Sequence, residues 1–159
     1  MTPARWIASG GGSGFFPVAP GTAGSIVGVA LGVAFLAISP WLLGGATIVA
    51  VVAGTVAIRN ATCMGWLGAR KGENDDPGWI VIDEIAGQMI AVLALPRPSW
   101  GGVVLAFALF RLFDIAKPGP VGWTDRQGGA AGVMGDDVLA GIAAAALVAL
   151  GHWGVPGYI

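Results

Sequence analysis

The chain has 159 residues, of which 55% are hydrophobic and 11% charged, with a formal net charge of -1. Soluble domains usually carry about 25% charged residues, so the deficit points to lipid as the solvent. No basic run resembles a nucleic-acid footprint, and a single cysteine, Cys63, excludes both an intrachain disulfide and a cysteine-rich zinc site.

Near the start, Arg5 is followed by the Gly/Ser-rich stretch Gly10 to Gly14 rather than an apolar core. That is not the pattern of a cleaved signal peptide, and the mature chain is expected to begin at Met1. No charged side chain lies between Arg5 and Arg59, which leaves room for two crossings of roughly 20 residues each. The first is expected from Gly21 to Ser39, ending at Pro40, and the second from Trp41 to Ile58. A polar stretch from Arg59 to Gly78, carrying Arg70, Lys71, Glu73, Asn74, Asp75 and Asp76, reads as an extramembrane connection.

A third span runs from Ile80 to Leu95, with Asp83 and Glu84 in its first turn, and stops at Pro96-Arg97-Pro98. A fourth, Gly101 to Phe113, runs into Arg111, Asp114 and Lys117 before Pro118 disfavours further helix. A Gly-rich loop from Gly119 to Gly135 then leads to Asp136-Asp137 and a final Ala-rich span, Val138 to Trp153. The expected fold is an all-α, multi-pass helical membrane bundle with four or five spanning or partly spanning helices, formed by a single domain over residues 1–159. Trp41, Trp79, Trp100 and Trp153 fall at proposed helix ends, as interfacial belts favour.

Basic loops face the cytoplasm. With five crossings and the N-terminus inside, Arg5, Arg59, Arg70, Lys71, Arg111, Lys117 and Arg126 are cytoplasmic and only Arg97 is outside. The same topology puts every Asp and Glu on the cytoplasmic side, so chemistry is expected there.

Asp83-Glu84 and Asp136-Asp137 each open an apolar helix, and each pair is followed by a glycine, Gly87 or Gly141, that permits close helix approach. Two such ends brought together concentrate four carboxylates, which repel unless a cation neutralises them or some protonate. Hard oxygen ligands suit Mg²⁺, which commonly takes one or two carboxylates plus phosphate oxygens. The plainer alternative is that the acids complement helix N-terminal dipoles, for which one acid would suffice. Ionisable residues at membrane depth favour the metal reading.

Arg111, Asp114 and Lys117 recur at three-residue spacing along one helix face. Either Asp114 joins the metal while the cations contact an anion, or the three form a surface salt-bridge ladder. Pro20 to Ser25, containing Thr22 and Ser25, offers backbone N–H groups and hydroxyls to a phosphate at a helix start. Cysteine and histidine nucleophiles do not fit. Arg70 lies one residue too far from Cys63 for a C-x5-R phosphate loop, and Cys63 reads as a buried inert thiol. His152 stands alone beyond the last span, with a surface role.

Four motifs in order, P-G-T-A-G-S at Pro20 to Ser25, D-E-I-A-G at Asp83 to Gly87, F-R-L-F-D-I-A-K-P-G-P at Phe110 to Pro120 and G-V-M-G-D-D-V-L-A-G at Gly132 to Gly141, make the chain resemble the phosphatidylglycerophosphatase A family of bacterial membrane enzymes over almost its whole length. The resemblance implies a Mg²⁺-dependent phosphatase that removes the terminal phosphomonoester of phosphatidylglycerophosphate in the inner leaflet of the cytoplasmic membrane. Carried onto this sequence, it implies catalytic Asp83, Glu84, Asp114, Asp136 and Asp137, with Mg²⁺ on Asp83, Glu84, Asp136 and Asp137, and lipid phosphate on Thr22, Ser25, Arg111 and Lys117. The main rival is a small ion or proton transporter, which would place acids deeper in the bilayer. A phosphatidyltransferase ranks third, because Gly68-Ala69-Arg70 lacks the aspartates such enzymes would show before it.

Overall fold

The computed structural model describes residues 2–65 and 78–154. The expected connection residues Arg70 to Asp76, and the side chain of Trp153, lie outside the described residues. Among the described residues all regular structure is helical: α1 (Pro3–Ala8), a 3-10 turn (Ser13–Phe15), α2 (Pro20–Ile38), α3 (Pro40–Cys63), α4 (Ile82–Leu93), α5 (Trp100–Ala116), α6 (Pro120–Asp125) and α7 (Gly129–Gly154).

Among the described residues three helices, α2, α3 and α7, are long and apolar enough to cross a membrane. The other two expected spans are shorter. At 12 and 17 residues, α4 and α5 reach only about 18 and 25 Å, against a hydrocarbon core of about 30 Å. Large apolar side chains on the outer faces, among them Ile48, Val52, Val104, Ile115, Ile142 and Leu150, are exposed, the arrangement that lipid as solvent requires. Trp41 and Trp100 stand almost wholly exposed at one end of the bundle, and Trp6 and Trp123 are exposed at the other, where indole rings match a membrane–water interface.

Ser39 alone separates α2 from α3. Its extended backbone turns the chain, Pro40 takes the first helical position, and the Ser39 hydroxyl accepts a hydrogen bond from the Trp41 N–H at 3.2 Å. Two other boundaries differ from expectation. Helix α3 continues past Ile58 to Cys63, which is exposed rather than buried because the last turn runs beyond the packed core. The Gly-rich stretch 119–135 is not a loop: α6 occupies part of it and α7 starts at Gly129, so His152 lies inside the last turn of α7 rather than beyond it.

Short α4 is the hub, packed against α2, α3, α5 and α7. It approaches both long neighbours closely because glycine faces it. Gly24, Gly28 and Gly32 form a buried stripe on α2, and a Cβ at Gly28 would stand 2.8 Å from the Gln88 Cβ and the Ile85 carbonyl oxygen. On the other side, a Cβ at Gly87 would meet the Asp137 carbonyl at 2.5 Å, and one at Gly141 would run into the Gly87 backbone. Phe110 of α5 closes this contact, fully buried against Gly87. The N-terminal segment caps α4: the Val81 N–H donates to the Ala8 carbonyl at 2.9 Å, and Phe15 stacks on Trp79 with Arg5 beside both rings. Gly10 to Gly14 make this turn, and Gly14 lies directly on the Trp79 carbonyl.

The Gly87–Gly141 crossing therefore sets the α4–α7 spacing. Gly141→Ala is expected to cost about 1–3 kcal/mol through overpacking, read as a lowered Tm in detergent, whereas Gly44→Ala, which meets open space, should not lower it.

Candidate active site

Asp83 and Glu84 sit in the first turn of α4, as the apolar pattern after them predicts. Asp136 and Asp137 do not open a helix. They lie two turns inside α7, whose first turn carries no acid, so helix-dipole complementation does not account for them. The α4–α7 crossing brings the two pairs together. Carboxylate oxygens of Asp83, Glu84 and Asp137 lie within 4.8 Å of one another, with Asp83 and Asp137 buried. Asp114 of α5 stands close enough to add its negative charge to that of Glu84 and Asp137. Carboxylates this close repel one another, so the cluster calls for either protons or a cation.

Asp136 faces elsewhere. Successive helical residues point about 100° apart, and Asp136 turns from the cluster to the Lys117 ammonium, with its other oxygen accepting the Asp137 N–H at 3.0 Å. Lys117 also pairs with Asp125 at 2.6 Å. It does not share a helix face with Arg111 and Asp114. Pro118 disfavours helical backbone at the residue before it, and Lys117 ends α5 in the left-handed region at φ 45°, which swings its side chain toward α6 and α7. Burial alone would lower the Lys117 pKa, but hydrogen bonds to Asp125 and Asp136 hold it above the ordinary lysine value of 10.5.

Arg111 and Asp114 form the i,i+3 ion pair that their spacing predicts. The Arg111 guanidinium also donates to the Ser25 hydroxyl at 3.3 Å and the Thr22 hydroxyl at 3.5 Å, and Ser25 in turn donates to the Gly21 carbonyl at 2.9 Å. Thr22 and Ser25 thus hold the arginine. Gly21 has a role that sequence reading missed: a Cβ there would collide with the Glu84 carboxylate, so glycine admits the acid to the α2 backbone. Asp125 was also missed, since a lone acid in a Gly-rich stretch carries no signal until its lysine is located.

The cluster is recessed. Gly54 of α3 is level with Ile82 and Met134, and from Thr55 to Cys63 α3 continues about 13 Å past that level. Asp137 likewise lies about 12 Å along α7 from Gly129. Among the described residues the acids gather at this end of the bundle, together with Arg111 and Lys117, where a transporter would string acids along a path.

The model of the family Phosphatidylglycerophosphatase A matches residues 6–152 of the chain. The chain belongs to the phosphatidylglycerophosphatase A family. Among curated proteins, it is 39% identical to the Phosphatidylglycerophosphatase A of Haemophilus influenzae over 96% of this chain and 91% of the relative. It is 35% identical to that of Escherichia coli over 94% and 84%, and 38% identical, over 92% of both chains, to a Bacteroides thetaiotaomicron protein provisionally named a phosphatidylinositol-3-phosphatase. No solved structure matches. As a phosphatidylglycerophosphatase A the chain is a phosphoric monoester hydrolase, and its long apolar helices make it a membrane protein.

Asp136 is only 5% exposed. Lys117→Met, which leaves that carboxylate buried without its cation, is expected to cost about 3–5 kcal/mol. Asp136→Asn on top of it should recover most of the loss in a double-mutant cycle of thermal unfolding. Because the folded-state pKa of Lys117 is raised, its contribution is complete below pH 10.5 and is lost only as pH rises beyond that value.

Proposed function

We propose that this protein hydrolyses the terminal phosphomonoester of phosphatidylglycerophosphate to phosphatidylglycerol and inorganic phosphate, with Mg²⁺ as cofactor, at the cytoplasmic face of the bacterial inner membrane. The observation that carries the reading is the convergence of Asp83, Glu84 and Asp137 near Arg111, with Lys117 held on the neighbouring Asp136. Two relatives named Phosphatidylglycerophosphatase A support the headgroup. The cytoplasmic orientation rests on charge: Arg5, Arg59, Arg111, Lys117 and Arg126 lie toward the acidic end of the bundle, and Arg97 lies at the other.

The residues fit a hard divalent cation. All donors are carboxylate oxygens, and buried Glu84 Oε2 and Asp137 Oδ1 lack a hydrogen-bond partner, as oxygens reserved for an ion would. Asp83, Glu84 and Asp137 would hold it, with Asp114 alongside and Asp136 committed to Lys117. Bound there, Mg²⁺ supplies Lewis-acid polarisation of the phosphoryl oxygens.

The protein's own groups do the rest. Arg111 presents a planar fork to two phosphoryl oxygens, and its orientation is set by Asp114, Thr22 and Ser25. Lys117, fixed by Asp125 and Asp136, adds a second positive charge as negative charge builds on phosphorus. The bond from phosphorus to the lipid's terminal oxygen breaks, the leaving oxygen takes a proton, and the incoming oxygen comes from water directly or after a cluster carboxylate has formed an acyl-phosphate. A substrate carrying a chiral [¹⁸O]thiophosphate, hydrolysed in ¹⁷O-water, separates these routes: inversion at phosphorus supports direct attack, and retention supports the covalent one.

Purified protein in detergent is expected to release phosphate from phosphatidylglycerophosphate with Mg²⁺ and to stop with excess chelator. Phosphatidic acid and phosphatidylinositol 3-phosphate, run beside it, report headgroup breadth. Asp83→Asn and Asp137→Asn should each lower kcat by at least about 100-fold, in keeping with loss of a group that acts on the transition state. Full turnover in either variant would remove that residue from the site.

A further inference from the structure

A phosphate site at one end of a membrane bundle leaves the rest of a lipid to be placed. Two apolar cavities lie along α2. One, of about 290 Å³, opens between α2 and α3 and is floored by Ile82, Ile85 and Met89. On α4 these residues point away from Glu84, so that cavity does not join the site. The other, of about 400 Å³, lies between α2 and the start of α5, lined by Val29, Val33, Trp100 and Val103.

This second cavity lies along the same faces of α2 and α5 that carry Ser25 and Arg111. Along α2, Thr22, Ser25, Val29 and Val33 follow each other at steps of three and four residues, which puts them on one helix face. Along α5, Arg111, Phe107, Val103 and Trp100 do the same in the opposite direction. The Arg111–Ser25 and Arg111–Thr22 hydrogen bonds tie the top of the seam. From Ser25 to Val33, and from Arg111 to Val103, the descent is about 12 Å, close to the roughly 15 Å of hydrocarbon in one leaflet.

Between the charged top and the apolar bottom lies one polar group. Gln88 follows Glu84 by one turn on α4, lies against Gly28 of α2, is fully buried, and neither atom of its amide has a hydrogen-bond partner. A buried amide in that state is destabilising until a further group pairs with it. From top to bottom, the order of cations, amide and apolar cleft repeats that of a phospholipid: phosphate, glycerol esters, acyl chain.

We propose that the α2–α5 seam is the acyl-chain subsite of the lipid substrate, with the phosphate at Arg111, the glycerol ester region at the level of Gln88 and one chain in the cleft formed by Val29, Val33, Trp100 and Val103. The assignment rests on the lipid-phosphatase reading. It makes the enzyme sensitive to chain length through residues remote from the reacting phosphorus.

The test compares dioleoyl with dihexanoyl phosphatidylglycerophosphate in mixed micelles with Mg²⁺. Val33→Trp, which fills the cleft, should raise KM for the dioleoyl substrate about ten-fold with kcat within about two-fold, as expected for loss of uniform binding, and leave the dihexanoyl substrate unchanged. Val56→Trp, on the outer face of α3, should change neither. An unaltered dioleoyl KM in Val33→Trp, or equal losses on both substrates, overturns the subsite while wild-type turnover keeps the phosphatase reading. No release from either substrate by wild type overturns both. Independently of any variant, a lipid carrying a diazirine near the chain end should label residues 29–33 and 100–103 of the wild-type protein, in competition with unlabelled substrate. Labelling confined to the outer face of α3 overturns the proposal.

Discussion

Asp83, Glu84 and Asp137 can meet only where two backbones touch, because short carboxylate side chains reach a common point only from helices in near contact. Gly87 and Gly141 supply that contact between α4 and α7, and Gly21 and Gly28 supply its counterpart against α2. Little hydrophobic gain comes from burying acids side by side; each loses hydration and repels its neighbours. The close crossing is therefore compensated elsewhere, by Phe110, Met89, Val92 and Val148 packing around the hub and by a cation or protons within the cluster. Bundle geometry and site chemistry are in this sense one constraint.

Around that cluster the cations are held by separate sets of partners. Arg111 is braced by an acid and two hydroxyls from α2, and Lys117 by two acids from α6 and α7. Neither depends on the other's supports, so each can be perturbed alone. The bracing also explains two residues that contribute no ligand atom of their own to the cluster. Asp136 neutralises and aims Lys117, and Ser25 passes the Gly21 backbone position on to Arg111.

Much of this is legible in the order of the residues alone. Apolar runs without charge locate α2 and α3, the acids before Ile85 locate the start of α4, and three-residue spacing foretells the Arg111–Asp114 pair. What was not legible depends on the absence of local signals. Gly129, Ala130 and Ala131 read as loop because glycine is a weak helix former, yet packing of α7 on α4 and α6 outweighs that preference. Lys117 continues the spacing of Arg111 and Asp114, and only the backbone demand of Pro118 shows that it leaves their face. Adjacent acids look equivalent in a string of letters, but the rotation between neighbouring helical positions sends Asp137 to the cluster and Asp136 to a lysine. Asp125 and Gln88 gain meaning only from what lies opposite them.

The recess of the acidic cluster below the tips of α3 and α7 bears on how the enzyme meets its substrate. A phosphate group there stands near the depth a membrane lipid already occupies, so the lipid reaches it by sliding sideways rather than by being lifted into water. Encounter then takes place in two dimensions. The quantity that governs turnover is the mole fraction of substrate among its neighbouring lipids, and adding inert lipid at constant substrate should slow the reaction as dilution does in solution. The products also part by phase: inorganic phosphate leaves into water, and the dephosphorylated lipid returns to the sheet from which it came.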